Sequence, residues 1–64
     1  MSKKPGMYLM SSLNFGDYID VNGLSFMVQH VRVLDNIGGS WTVVTLAGGG
    51  TLEGPTDVAV VDVI

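Results

Sequence analysis

Hydrophobic and polar residues alternate with a period of two through most of the chain, a pattern typical of β-strands. The clearest case is the pair of runs DYIDV and LSFMVQHVRVL, which flank Asn22 and Gly23. Asn-Gly between two such runs is a strong hairpin signal, because both turn residues must accept a positive φ. No segment longer than a turn shows the i, i+3, i+4 spacing of a helix. The sequence therefore predicts an all-β fold.

The longer of these two runs contains a shift in its alternation. Leu24, Phe26 and Val28 form one apolar set at even-numbered positions, whereas Val31 and Val33 continue it at odd-numbered positions. A shift by one residue within a strand exchanges its two faces and is typical of a β-bulge or a sharp bend. We expect that bend near Gln29 and His30.

Three further strands are predicted after this hairpin, over 40–46, 51–53 and 58–64, with Gly-, Asp- and Pro-rich turns between them. The five strands, the second of them long and bent, resemble the small SH3-like barrel over residues 15–64. This resemblance is to an architecture and involves no family motif, so it implies no activity. We expect a five-stranded SH3-like or related small β-barrel.

The N-terminal segment, residues 1–14, has a charged tip with Pro5 and Gly6, followed by MYLM. Four consecutive large apolar residues are uncommon in disordered tails. The segment has three possible roles. It is a first strand or plug in the protein's own core, an arm that docks on a neighbouring protein, or a flexible tail or expression remnant. We divide the chain into an N-terminal arm, 1–14, and a barrel domain, 15–64.

Length and composition favour association with another chain. A domain of 64 residues buries only about 60% of the surface that its unfolded chain exposes. The chain has no cysteine and one histidine, which excludes disulfides and a zinc cage of the common type. Oligomerisation is the remaining device that usually stabilises so small a domain. Charged residues make up only 14% of the sequence, against about 25% in an average soluble domain.

The distribution of charge disfavours nucleic-acid binding. The formal net charge is −3, and from Pro5 onward one arginine stands against six acids, a balance of −5. An acidic body repels phosphate backbones. No run reaches the roughly 18 apolar residues of a membrane span, and the first ten residues lack the apolar core of a signal peptide. We expect a soluble protein without a signal peptide, in a virion or in the cytoplasm of a host.

Catalytic chemistry has little support in the sequence. The polar residues nearest to His30 in sequence are Gln29 and Arg32, and no Ser, Cys or Glu companion is evident that would make it a general base. The AGGG loop precedes a strand and lacks a lysine, unlike a phosphate-binding loop. The six acids lack the spacing of a calcium loop and are interpreted as turn formers and solubilising charges. We therefore expect no catalysis, no cofactor and no metal.

The last strand is apolar on both faces, and so is the strand over 40–46. A strand that is apolar on both sides implies a cover on each, and large apolar patches are uncommon on monomers. We therefore predict an interface with a copy of the chain or with a larger protein. Its predicted residues come from the N-terminal segment and these two strands: Met7, Tyr8, Leu9, Met10, Val44, Leu46, Val61 and Val63.

The function that these patterns favour is non-enzymatic: self-association, or docking on a larger protein assembly. The setting that we favour is a virion accessory, such as a capsid decoration or connector subunit, or a small inhibitor. The alternative is a small-molecule or peptide-binding barrel. Its ligand would lie near His30, Trp41 and the glycines Gly48 to Gly50, with Gly49 at the centre of that loop.

Overall fold

The structure, a computed structural model, describes residues 3–64 and is all-β. Its elements, in chain order, are β1 (Gly6–Leu9), a 3₁₀ turn (Met10–Ser12), β2 (Tyr18–Val21), β3 (Leu24–Asn36), β4 (Gly39–Leu46), β5 (Thr51–Pro55) and β6 (Val60–Val63). The six strands form one antiparallel sheet in the order β1-β6-β2-β3-β4-β5. The sheet is open, with β1 and β5 as its edges. The prediction of an all-β fold is confirmed, and the strands number six because the N-terminal segment adds one.

The hairpin between β2 and β3 turns at Asn22 and Gly23, as predicted. Both residues have positive φ, 53° and 84°, as the mirror-image turns favoured in hairpins require. Val21 and Leu24 are the first paired residues on either side. This turn fixes the register of β2 on β3 and hence which side chains of both strands face the core.

Strand β3 is long because it belongs to both halves of the sheet. Its first part pairs with β2 as far as Met27, and its remainder, from Val28, pairs with β4. The register on β4 shifts between Val28 and His30. The predicted bulge is therefore confirmed, and it lets both Val28 and Val31 face inward.

The N-terminal segment is part of the same sheet and core. Strand β1 pairs antiparallel with β6, with Tyr8 opposite Val61. The 3₁₀ turn that follows places Met10 in the core, and Leu13 beyond it is also buried. Of the readings of this segment, the structure shows the first: the described part serves as a strand and plug within its own chain.

The core lies between the two halves of the bent sheet. Its centre consists of Ile19, Val28 and Val44, which are fully buried, and Leu46 and Val63 lie beside them. On β4 the inward set is Thr42, Val44 and Leu46, whereas Trp41 faces outward and is 39% exposed. On β6 the inward set includes Val61 and Val63, whereas Val60 faces outward.

Candidate interaction site

More large apolar side chains lie on the surface than in the core. Among residues 3–64, twelve large hydrophobic side chains are exposed and seven are buried. Single exposed apolar residues are ordinary on any protein, but large patches mark interaction surfaces. The positions of the exposed residues therefore decide where a site could lie.

The first concentration is at the end of the β3–β4 hairpin. Every residue from Arg32 to Gly39 is exposed, so this part of the hairpin extends beyond the core. Its large apolar side chains will be called the hairpin patch: Leu34 and Trp41 on the outward face, Val33 on the opposite face, and Ile37 at the turn. Ile37 forms the turn with Gly38, and its side chain is completely exposed, at 107% of its reference area. Leu34 and Trp41 are directly opposite one another on the two strands.

The second candidate is a cleft where β2 and β6 separate. Pairing between these strands ends at Asp20 and Asp62, whereas β6 continues to pair with β1 as far as Val60. The cleft, about 350 Å³ in volume, will be called the acidic cleft. Its lining residues are Met7, Met10, Asp20, Val21, Asn22, Leu52, Glu53, Val60, Val61 and Asp62.

The lining of the acidic cleft combines apolar walls with negative charge. Three carboxylates, those of Asp20, Glu53 and Asp62, belong to it, and no lining residue is basic. Asp20 and Asp62 are register partners on neighbouring antiparallel strands. Like charges that lie directly opposite one another destabilise a sheet. The cleft is therefore suited to a cationic group carried on an apolar stem.

The predicted interface residues divide into two groups. Four of them, Met10, Val44, Leu46 and Val63, are at most 4% exposed and form the chain's own core. They do not form an outer surface of this chain, because Val44, Leu46 and Val63 lie on the inward faces of β4 and β6 and Met10 is buried in the 3₁₀ turn. The sequence shows that each strand has two apolar faces, but not which face turns inward.

The other four predicted interface residues reach the surface to different extents. Met7 and Leu9 are exposed on β1. Tyr8 and Val61 are half-buried against the core, and the Tyr8 hydroxyl donates a hydrogen bond to the Lys4 carbonyl oxygen at 2.9 Å. Met7 and Val61 also line the acidic cleft.

The residues of the predicted ligand site are not brought together. His30 is opposite Thr45 and Trp41 is opposite Leu34, so the two lie four residues apart along the sheet, roughly 13 Å. Gly49 lies in the β4–β5 connection, where its N–H donates to the Leu46 carbonyl oxygen at 3.1 Å. None of the three lines the acidic cleft.

A buried carboxylate, Asp17, was not singled out by the sequence. Its Oδ2 accepts hydrogen bonds from the Asn14 N–H at 2.8 Å and from Lys3 Nζ at 3.1 Å. Burial acts to raise the pKa of Asp17, but the Asn14 N–H and the Lys3 ammonium outweigh it and the pKa is lowered. Through Oδ2, this carboxylate joins Lys3 and Asn14 of the N-terminal segment to the start of β2. No local sequence signal reveals it, because its ion-pair partner is fourteen residues away.

Comparison with protein-family models, with curated proteins and with solved structures found no match. Within residues 3–64, no three His, Asp or Glu side chains are grouped in a way that could hold a metal ion. The same residues contain no helix of the length and apolarity needed to cross a membrane.

Proposed function

We propose that this protein is a non-enzymatic structural protein that acts by self-association. The observation that carries the proposal is the hairpin patch: Val33, Leu34, Ile37 and Trp41 are each at least 39% exposed on an extension that contributes little to the core. An isoleucine at a turn tip has no role in the fold of its own chain, where Gly, Asn or Asp would serve the turn better. Burial of these side chains against another protein stabilises the complex, which explains why apolar residues occupy these exposed positions.

The proposal includes the SH3-like barrel as the architecture of the subunit. Its support is the strand order β6-β2-β3-β4-β5, in which one long strand bends at a bulge and pairs with both halves. A tight turn precedes the last strand, where the Ala59 N–H donates to the Pro55 carbonyl oxygen at 2.9 Å. Strand β1 then extends this arrangement at the outer edge of β6.

The setting that suits such a subunit is a larger protein assembly, such as a virion that it decorates or connects. In an assembly of this kind each subunit needs two features only, a stable small body and surfaces that bind neighbours. The exposed side chains of the hairpin patch and of β1 supply such surfaces on two different parts of the molecule.

The test is the solution mass of the intact chain, measured by light scattering over a wide range of concentrations. We expect a multiple of the 6.8 kDa chain mass. The double variant Leu34→Ser/Ile37→Ser should move the distribution toward the monomer, because it removes apolar area from the hairpin patch. Phe15→Ser is the matched control, since Phe15 is 74% exposed outside that patch. An intact chain that remains monomeric at every concentration would overturn the proposal.

A further inference from the structure

We infer that the acidic cleft of one copy binds Arg32 of a second copy, presented by the hairpin that carries the hairpin patch. This inference rests on the proposed self-association and names the two surfaces that meet.

Charge complementarity selects the second copy as the occupant. The cleft contributes three carboxylates and no basic residue. The chain has only three basic residues, Lys3, Lys4 and Arg32. Lys3 pairs with Asp17 at 3.1 Å, and Lys4 lies in the N-terminal segment before β1. Arg32 is therefore the cation that the folded body carries on an extended, apolar surface.

Within residues 3–64, Arg32 makes no ion pair. Among the described residues, the one salt bridge is that between Lys3 and Asp17. Arg32 is exposed, and Val43 separates it from Glu53 in the same row of the sheet. Arg32 is thus available to a neighbouring molecule.

The surroundings of Arg32 match the lining of the cleft. Arg32 shares the outward face of the hairpin with Leu34 and Trp41, as the β3–β4 register requires. The cleft offers Met7, Leu52 and Val60 beside its carboxylates. An arginine stem packs on apolar walls while its planar guanidinium donates to two carboxylates. A guanidinium between Asp20 and Asp62 would also relieve the repulsion of these opposed charges.

Charge reversal on each surface tests the contact. Arg32→Glu and Asp62→Lys should each weaken self-association about tenfold or more, because each opposes like charges at the contact. The double variant, R32E with D62K, should recover association, and so should an equimolar mixture of the two single variants. Both positions are exposed, and circular dichroism and thermal melting verify that each variant folds.

Matched controls separate this contact from a general effect of charge. Lys4→Glu changes the net charge by as much as R32E does, and Asp57→Lys changes it by as much as D62K does. Lys4 and Asp57 are both exposed and lie outside the cleft. These controls should associate like the intact chain. If the intact chain associates and neither R32E nor D62K weakens it, this inference is overturned and the proposed function stands. A monomeric intact chain would overturn both.

Discussion

Lys3 and Asp17 form an ion pair, with Nζ and Oδ2 3.1 Å apart, that joins the N-terminal segment to the loop before β2. The same oxygen accepts the Asn14 N–H at 2.8 Å. The side chain of Asp17 is only 3% exposed and that of Lys3 is 16% exposed. A charge so well enclosed stabilises the fold only while both of its donors remain in place.

Acid should therefore weaken the fold through Asp17. The pKa of this carboxyl is lower in the folded chain than its ordinary value of 3.8. Its contribution to stability is complete above that ordinary value and is lost as the pH falls through the lower, folded-state pKa. We expect Asp17→Asn to reduce the free energy of unfolding by about 1–3 kcal/mol at pH 7, and by progressively less below pH 4.

Urea unfolding of the intact chain and of Asp17→Asn across this pH range measures the difference. Asp57→Asn, at an exposed turn position, controls for the loss of one negative charge. A difference between the intact chain and Asp17→Asn that stays constant from pH 7 to pH 2 would contradict the assignment.

The N-terminal segment should prove essential to folding. Met10 is 4% exposed in the core and Met7 is 65% exposed on the neighbouring strand. Met10→Ala should cost about 2–5 kcal/mol, since it leaves a cavity, whereas Met7→Ala should change stability by less than about 0.5 kcal/mol. Thermal or urea unfolding compares the two. Similar losses in both variants would show that the segment does not pack as the structure has it.

The effect of removing residues 1–14 can be predicted from the same contacts. This change deletes β1, the Lys3 partner of Asp17, and the core side chains Met10 and Leu13. We expect an unfolded chain rather than a folded monomer, with loss of the β-sheet circular dichroism signal. A truncated chain that melts cooperatively at the same temperature as the intact one would refute this expectation.

Much of the fold follows from local sequence. The Asn22–Gly23 turn is predictable because few residue pairs accept two positive φ values, and the bulge is predictable because it changes the parity of the apolar positions. Which face of β4 and of β6 turns inward is harder to predict from the sequence. Val44 and Val43 are equally apolar, and only the packing of the whole sheet places Val44 inside.

The candidate site was predictable only in part. Met7 and Leu9, two of the predicted interface residues, are exposed, but the sequence does not indicate the hairpin patch or the acidic cleft. The cleft joins Glu53 of β5 to Asp20 and Asp62, which are far apart in sequence. Ile37 was the one available signal for the patch, as a β-branched residue within a predicted turn.

Gly54 of β5 lies against Ala59, the residue before β6. This position should not tolerate a side chain. A Cβ at this buried position would lie 2.8 Å from the Cβ of Ala59. Gly54→Ala should therefore destabilise the fold by about 1–3 kcal/mol. Gly50→Ala is the control, because a Cβ there would lie 3.8 Å from the nearest atom, in the Leu46 side chain.

The double variant Gly54→Ala/Ala59→Gly separates this steric clash from a general preference for glycine at position 54. It moves the methyl group from one side of the contact to the other and should recover part of the lost stability in urea unfolding. If it is no more stable than Gly54→Ala alone, the contact with Ala59 is not the cause.

Three hydroxyl groups join the start of β4 to the turn after β5. The Ser40 hydroxyl donates to Thr56 Oγ1 at 2.8 Å, and Thr42 Oγ1 lies 2.8 Å from the same atom. Thr42 is completely buried, whereas Thr56 is half-buried. Thr56 thus links a buried hydroxyl to one nearer the surface.

The position of Thr56 between the other two predicts an asymmetry between two similar substitutions. Thr56→Val leaves the buried Thr42 hydroxyl without this partner and should cost about 1–3 kcal/mol. Thr42→Val replaces the buried hydroxyl by a methyl group, leaves the bond between Ser40 and Thr56, and should cost less. Urea unfolding of the two variants and of the double variant measures their coupling. Thr56→Val should reduce the free energy of unfolding by less when Thr42 is already replaced by Val. Equal and additive losses would show that the hydroxyl groups act independently.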